Sequence, residues 1–385
     1  MMKTIRDPIH GQIRLDDTIV KIIDTPQFQR LRRIKQLGFA NLVYPGANHT
    51  RFEHSLGVMH IASLLTDDVE VTIAALLHDI GHTPFSHGSE RVAKKYLKYE
   101  HEDVKKVIVG ELKDVLVEEG LSLSRIARYI KSNPIVSGEI DADRMDYLVR
   151  DSHYTGVAYG VFDVERLIDK IYFDGKRLII KSGGLKAAES LLISRYMMYP
   201  TVYFHHVCRI ARKMYEKALE YLIENGFDAK NLLFMDDYDI ISFMRSSSGF
   251  AKEVIELIDS RRLFKRALYV GRNRVNLKEI LNLNAERVEE EIANEVGIDR
   301  NYVIVDVQPI EEVKEFNALV DIDGELIKLE DASPLIKSLK AAEIDTWKLG
   351  VYTKKEYVEK VSKIAADYFN VKRVPKQKTL DEVLP

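Results

Sequence analysis

The 385-residue chain predicts a mostly α fold, a helical domain over residues 1–265 followed by a smaller α+β lobe over residues 266–385. Three observations lead there. From about Thr18 to Phe264 the apolar residues recur at helical spacing. After Phe264 the texture changes to shorter mixed segments with strand-like alternation and hairpin turns. The length itself exceeds what one compact core normally holds, so a main domain with a smaller companion is the natural division.

Val20, Ile23, Phe28, Leu31, Ile34 and Leu37 keep a helical rhythm that Pro26 breaks into two short helices. Helices are predicted over Arg51–Leu65, over Val71–Ile80 with Gly81 as its stop, and over Leu123–Lys131 ahead of Asn133-Pro134. Ile140–Ser152 places Met145, Leu148 and Val149 on one side and charges on the other. Phe173–Ile180 reads as a hairpin turning at Asp174-Gly175. A long helix from Gly184 to Asn225 follows, with Pro200 as a point of interruption. In the lobe, Tyr302–Val307 and Leu349–Tyr352 read as strands and Ala318–Ile327 as a hairpin. Helices are placed around Ser333–Ala342 and Lys355–Phe369, and the tail from Lys372 to Pro385 is expected to be mobile.

Apolar residues make up 46% and charged residues 30%, the balance of a soluble globular protein. A net charge of −3 argues against a dedicated nucleic-acid binder, so any polyanion affinity must come from local basic clusters. Cys208 is the one cysteine, which excludes an internal disulfide and suits a reducing compartment. The N-terminus lacks the apolar core of a signal peptide, and no apolar run approaches the roughly 20 residues that span a bilayer. These features lead us to expect a cytoplasmic protein with no membrane partner.

Leu77–His87 packs three histidines and an aspartate behind the apolar run Val71–Leu76. Imidazole and carboxylate seldom enter a core unless bonded or metal-bound. A His-Asp doublet at a helix end can aim a nitrogen and an oxygen at one divalent ion; its plain alternative is a capped helix end with solvated histidines. Asp143, Tyr147, Arg150 and Asp151 fall on neighbouring positions of one helical face, able to present a ligand and several substrate contacts. The same spacing also describes a solvated charged face.

The order His54, His78-Asp79, Asp143 resembles the HD phosphohydrolase superfamily, with an HD core at about residues 50–152. The likeness extends to the SAM-and-HD-domain deoxynucleotide triphosphohydrolases, without a SAM domain. It is carried by Asp7-Pro8-Ile9-His10-Gly11, Ile23–Arg32, Ile34–Gly38, Tyr44–Ala47, Arg51–Gly57, Thr201–His205 and Val351–Lys355. The resemblance implies His54, His78, Asp79 and Asp143 as ligands of zinc, iron, manganese or nickel, with magnesium accompanying a triphosphate. It implies release of deoxynucleoside and intact triphosphate by attack of water on the α-phosphorus. His82 or His101 is then the general acid, His87 contacts phosphate, and Glu90 is the acidic partner of the catalytic histidine. Arg51, Arg144 and Arg195 match phosphate contacts, and Tyr147 shares the helix face of Asp143. Gln36, Leu37, Asp151 and Tyr203 match a sugar pocket. There Asp151 and Gln36 would bond the 3′-hydroxyl, while Leu37 and Tyr203 crowd the place of a 2′-hydroxyl.

Two basic runs, Arg30–Lys35 and Arg261–Arg266, read by themselves as solvated faces. The resemblance gives them a second meaning. Lys3, Asp24, Gln29 and Arg32 match residues that bind an activating guanine nucleotide between subunits, and Arg261 and Lys265 match those serving an adjacent activator phosphate. A homo-oligomer, specifically a tetramer, activated by a guanine nucleotide or a deoxynucleoside triphosphate is the expectation that follows. Two other readings stand beside it. One is another HD activity, a nucleotidase or phosphodiesterase; the other is a non-catalytic nucleotide or nucleic-acid binder.

Overall fold

The computed structural model describes residues 3–308, 310 and 313–371. The expected mobile tail lies outside the described residues. The chain divides into two compact units, Met1–Leu263 with Glu312–Ala342, and Phe264–Glu311 with Glu343–Pro385. The lobe expected over residues 266–385 is therefore not one continuous stretch, because Glu312–Ala342 returns to the helical unit.

The first unit opens with a hairpin, β1 (Lys3–Asp7) and β2 (Gly11–Leu15). Next come α1 (Asp17–Ile23), capped by Asp16, and α2 (Pro26–Gln29), capped by Thr25 with Pro26 in its first turn. The helical rhythm past Gln29 continues only as a 3₁₀ turn at Arg30–Arg33. A Thr50–Glu53 capping box starts α3 (Arg51–Leu65), and Asp68 starts α4 (Val69–Leu77). The chain continues through α5 (His87–Leu97), α6 (Gly110–Glu118), α7 (Leu123–Ser132) and α8 (Pro134–Ser137). Asp141 caps α9 (Ala142–Thr155), which ends at Gly156, and α10 (Val164–Asp169) follows. Strands β3 (Ile171–Phe173) and β4 (Leu178–Lys181) form the hairpin at Asp174-Gly175. The long helix is two, α11 (Leu185–Met198) and α12 (His206–Glu224), parted by a π-turn at Tyr199–Tyr203 that contains Pro200. The stretch to Leu263 closes with α13 (Asp237–Ser246) and α14 (Gly249–Asp259).

The second unit contains β5 (Lys265–Gly271), α15 (Leu277–Leu281), α16 (Ala285–Val296) and β6 (Val303–Val307). The returning segment supplies β7 (Leu319–Ile322), β8 (Glu325–Lys328), α17 (Leu329–Ala332) and α18 (Pro334–Glu343). Strand β9 (Lys348–Thr353) and α19 (Val358–Tyr368) complete the second unit. There β9 lies between β5 and β6 in an antiparallel sheet, with α16 and α19 burying Val288, Ile292, Val361 and Ala365 beside Val305 and Leu349.

In the first unit β7 pairs in parallel with β4, and Phe316, Val320, Leu329 and Ile336 enter the helical core. Parallel pairing joins segments distant in sequence, so the hairpin pattern alone did not reveal which unit it joins. Helix α4 is buried along its length from Val71 to Leu77, and packs against α3 and α7. A helix buried on all sides carries no amphipathic stripe. It seats the His78-Asp79 doublet at its buried C-terminal end.

Candidate metal and phosphohydrolase site

Helices α3, α4 and α9 bring His54, His78 and Asp143 together, with one ligand atom of each within 4.8 Å of the others. His54 Nε2 is 3.0 Å from Asp143 Oδ1 and 3.3 Å from His78 Nε2. Each histidine has its other nitrogen engaged: His54 Nδ1 with Asp146 Oδ2 at 2.8 Å, and His78 Nδ1 with the Ala75 carbonyl at 2.7 Å. That fixes both tautomers with Nε2 facing the cluster. Asp79, the fourth expected ligand, lies beside it, 3.4 Å from His78 Nε2 and 3.6 Å from His54 Nε2, with Arg51 Nη1 2.7 Å from Oδ2. Burial alone would push the His54 imidazole down, but hydrogen bonds to Asp143 and Asp146 and the Asp79 charge hold it up at about 10. A site that binds a proton so firmly is negative enough to want a cation. Two imidazoles and two carboxylates fit a divalent transition ion by donor chemistry.

Close approach makes this possible. A Cβ at Gly57 on α3 would stand 1.9 Å from Asp146 Oδ1, so only glycine lets α9 deliver that carboxylate to His54. Behind it, His10 Nε2 meets Asp146 Oδ1 at 2.6 Å, and Arg150 bonds both oxygens of Asp146 and both of Asp7. Arg150 departs from the substrate-facing row expected on α9. Arg150 is fully buried and turned inward, because the N-terminal hairpin supplies Asp7 to share its charge. His10, Asp146 and Asp7 carried no local signal of this role; His10 and Asp7 stood only within the opening motif.

Beside the cluster lies a histidine–carboxylate relay. His82 Nε2 is 3.2 Å from Asp79 Oδ1, and its ring stacks on His101 with centroids 4.2 Å apart. Glu90 joins His101 Nδ1 at 2.7 Å and His87 Nδ1 at 2.8 Å. At Gly81 a Cβ would stand 2.0 Å from the His101 carbonyl, so the bare backbone there admits the His101 segment. Burial, then Arg51 and His101, drive His82 well below the usual imidazole range. Burial also opposes charge on His101, but Glu90 raises it nonetheless. Burial would raise Glu90, yet His87 and His101 hold it far below the usual carboxylate range. Phe85 and Ser86 carry φ of 57° and 53° where the chain turns into α5. Ser86 Oγ donates to the Lys35 carbonyl and accepts from Arg51 Nε, while Asp237 accepts from Phe85 N–H.

Arg144 and Arg195 converge on Glu315, from Nε to Oε1 at 2.8 and 2.9 Å, and Arg144 also pairs with Asp141. Burial would raise Glu315, but the two arginines keep it ionised. Of the residues expected to form a sugar pocket, Asp151 and Tyr203 meet, with Tyr147 beside Tyr203. Tyr203 donates to Asp151 Oδ2 at 2.9 Å, and its phenol is held protonated by burial and the Asp151 charge. Tyr147 stands edge-on to Tyr203, Gln36 is buried, and Leu37 packs half-buried against the core. His49 bonds the other oxygen of Asp151 at 2.7 Å. Neither His49 nor Glu315 was singled out in the sequence; both lie in segments without helical periodicity.

The expected activator residues are more scattered. Gln29 accepts from Arg32 Nε at 2.8 Å, and Arg32 lies over the Phe52 ring. Lys3 lies on β1, Asp24 caps α1, and Arg261 bonds the Leu42 carbonyl. Lys265 belongs to the second unit.

A helical scaffold presenting paired histidines, carboxylates and a neighbouring histidine relay defines a phosphohydrolase of the HD type. Residues 51–151 match the HD domain and residues 162–380 match the HD associated region, and the chain belongs to this family. It is 38% identical to an uncharacterized protein of Methanocaldococcus jannaschii, over 94% of this chain and 81% of that one. It is 29% identical to the deoxynucleoside triphosphate triphosphohydrolase SAMHD1 homolog of Dictyostelium discoideum, over 87% of this chain and 74% of that one. A phosphohydrolase structure from Bacteroides thetaiotaomicron superposes with a TM-score of 0.70 at 25% identity, covering 92% of this chain and all (100%) of the other. Among the described residues no helix is long and apolar enough to cross a membrane.

Proposed function

We propose that this HD phosphohydrolase hydrolyses deoxynucleoside triphosphates to deoxynucleoside and triphosphate. One observation carries the reading. Helix α9 alone offers the ligand Asp143, the phosphate cation Arg144 and the sugar carboxylate Asp151. Asp143 and Asp151 are about 12 Å apart along the helix axis, a span suited to a sugar and its first phosphates. The named activity of the Dictyostelium relative supports the same substrate class. A divalent ion held by His54, His78, Asp79 and Asp143 would neutralise phosphate charge and sharpen the acidity of water. Arg51, Arg144 and Arg195 would take the phosphates, which requires Glu315 to give way to the ligand. His101, whose pKa Glu90 raises, would hand a proton to the departing 5′-oxygen, with His82, which burial lowers, as the alternative donor. His87, on the exposed side of Glu90, would meet the phosphate chain. Asp151 and Gln36 would hold the 3′-hydroxyl, with Leu37 and Tyr203 filling the space of a 2′-hydroxyl.

The proposal extends to regulation: a tetramer in which Lys3, Asp24, Gln29, Arg32, Arg261 and Lys265 bind a guanine nucleotide or deoxynucleotide activator. The test is chromatographic. Each of the four deoxynucleoside triphosphates is incubated singly and mixed, with magnesium or manganese, beside a His78→Ala, Asp79→Ala control. Deoxynucleoside plus triphosphate, absent in the control, is the expected result, with faster turnover in mixtures. Free phosphate or no product would refute the reaction, and equal rates alone and mixed would refute activation.

A further inference from the structure

The geometry points to His49 as the positioning residue for sugar recognition, holding Asp151 in the orientation that receives the 3′-hydroxyl. The inference rests on the proposed function and names a residue that reading lacks. His49 lies between the 3₁₀ turn Gly38–Leu42 and α3, yet it is only 2% exposed. Its ring stacks on Tyr154 with centroids 4.6 Å apart and planes 14° apart, which sets the ring plane. Its Nε2 meets Asp151 Oδ1 at 2.7 Å, and Tyr203 donates to Oδ2 at 2.9 Å. Both carboxylate oxygens are thus held from fixed directions, and each keeps a further lone pair for a ligand.

Among the described residues, one buried polar atom on each of two hydrogen-bonded residues, His49 and Gln36, lacks a partner. With Nε2 turned to Asp151, Nδ1 has no partner among the described residues. Gln36 Oε1 is a buried acceptor without a partner. The two residues are joined, since Gln36 N–H donates to the His49 carbonyl at 3.0 Å. Native interiors rarely leave such atoms unmet. A hydroxyl-bearing ligand is polar in the way the site requires, its one hydrogen going to Asp151 and its oxygen free to accept in turn. A structural His–Asp bridge between a loop and α9 would account for the 2.7 Å contact, but not for these two unmet polar atoms.

The test is calorimetric binding in EDTA of a 2′-deoxynucleoside triphosphate and its 2′,3′-dideoxy counterpart. Wild type, His49→Phe, which keeps the stacking, and His49→Gln, which restores a donor near Nε2, are compared. Wild type should prefer the 3′-hydroxyl ligand. His49→Phe should lose about tenfold in affinity for it and little for the dideoxy ligand, and His49→Gln should recover most of the loss. An equal loss for both ligands, or no loss, would overturn the role. Because the readout is binding, a protein that discriminates this way yet releases no triphosphate would refute the proposed reaction and leave His49 in place. A wild type that binds neither ligand would overturn both.

Discussion

His82 and His101 lie face to face yet shift in opposite directions, His82 down and His101 up, and the difference comes from their neighbours rather than from their own chemistry. Glu90 is the group that raises His101, so the proposed proton donor depends on it. Glu90→Gln should let the His101 pKa fall, and the alkaline limb of the rate profile should move to lower pH; a pH–rate series would reveal this shift. An unmoved limb would remove His101 as the donor. Asp146→Asn should leave His54 less firmly oriented and lower metal affinity about 10- to 100-fold, measured as bound metal after dialysis. At this scale His54, His78, Asp79 and Asp143 were legible in the chain, because their order is itself a motif. Asp146 was not: its spacing on α9 describes a solvated charge as well as a buried one, and only Gly57 and the N-terminal hairpin distinguish the two.

Between elements, charge is as decisive as packing. Glu216 on α12 is buried and meets Arg91 of α5 as well as Arg212 and Lys213. Burial would raise its carboxyl, but these three cations bring it down to about 2. A depressed carboxylate stabilises the fold above its unfolded pKa of 4.5, and the contribution is lost as pH falls from there toward about 2. Its size is about 3 kcal/mol by linkage. Glu216→Gln should therefore be clearly destabilised at pH 7 and nearly equal to wild type near pH 2, as denaturant midpoints would record. Glu315 brings a carboxylate to Arg144 and Arg195 from the returning segment. Glu315→Gln should free the two arginines, so inorganic triphosphate should inhibit more strongly; weaker inhibition would mean that Glu315 instead holds them in place. The start of α3 was readable at Arg51, where the Thr50–Glu53 capping box acts locally. The return of Glu312–Ala342 was not, since its parallel pairing with β4 spans the chain.

For the whole molecule, removal of metal should cost stability as well as activity. Chelation should lower the melting temperature, and manganese or zinc should restore it, a site at a hundredfold over its Kd being worth about 2.7 kcal/mol. A melting curve indifferent to chelator would argue against an ion at His54, His78 and Asp143. The sequence by itself determined the helical class, the two hairpins at Asp174-Gly175 and near Asp323-Gly324, and membership of the HD family. Those depend on local chemistry, on capping side chains, turn glycines and ordered motifs that act within a few residues. Only the tertiary structure decided that Arg150 is buried, that His49 grips Asp151, and that Glu315 lies between two arginines. Each joins residues far apart in the chain, and the energy of such a contact depends on desolvation and a partner's position, neither of which leaves a period or a spacing to read.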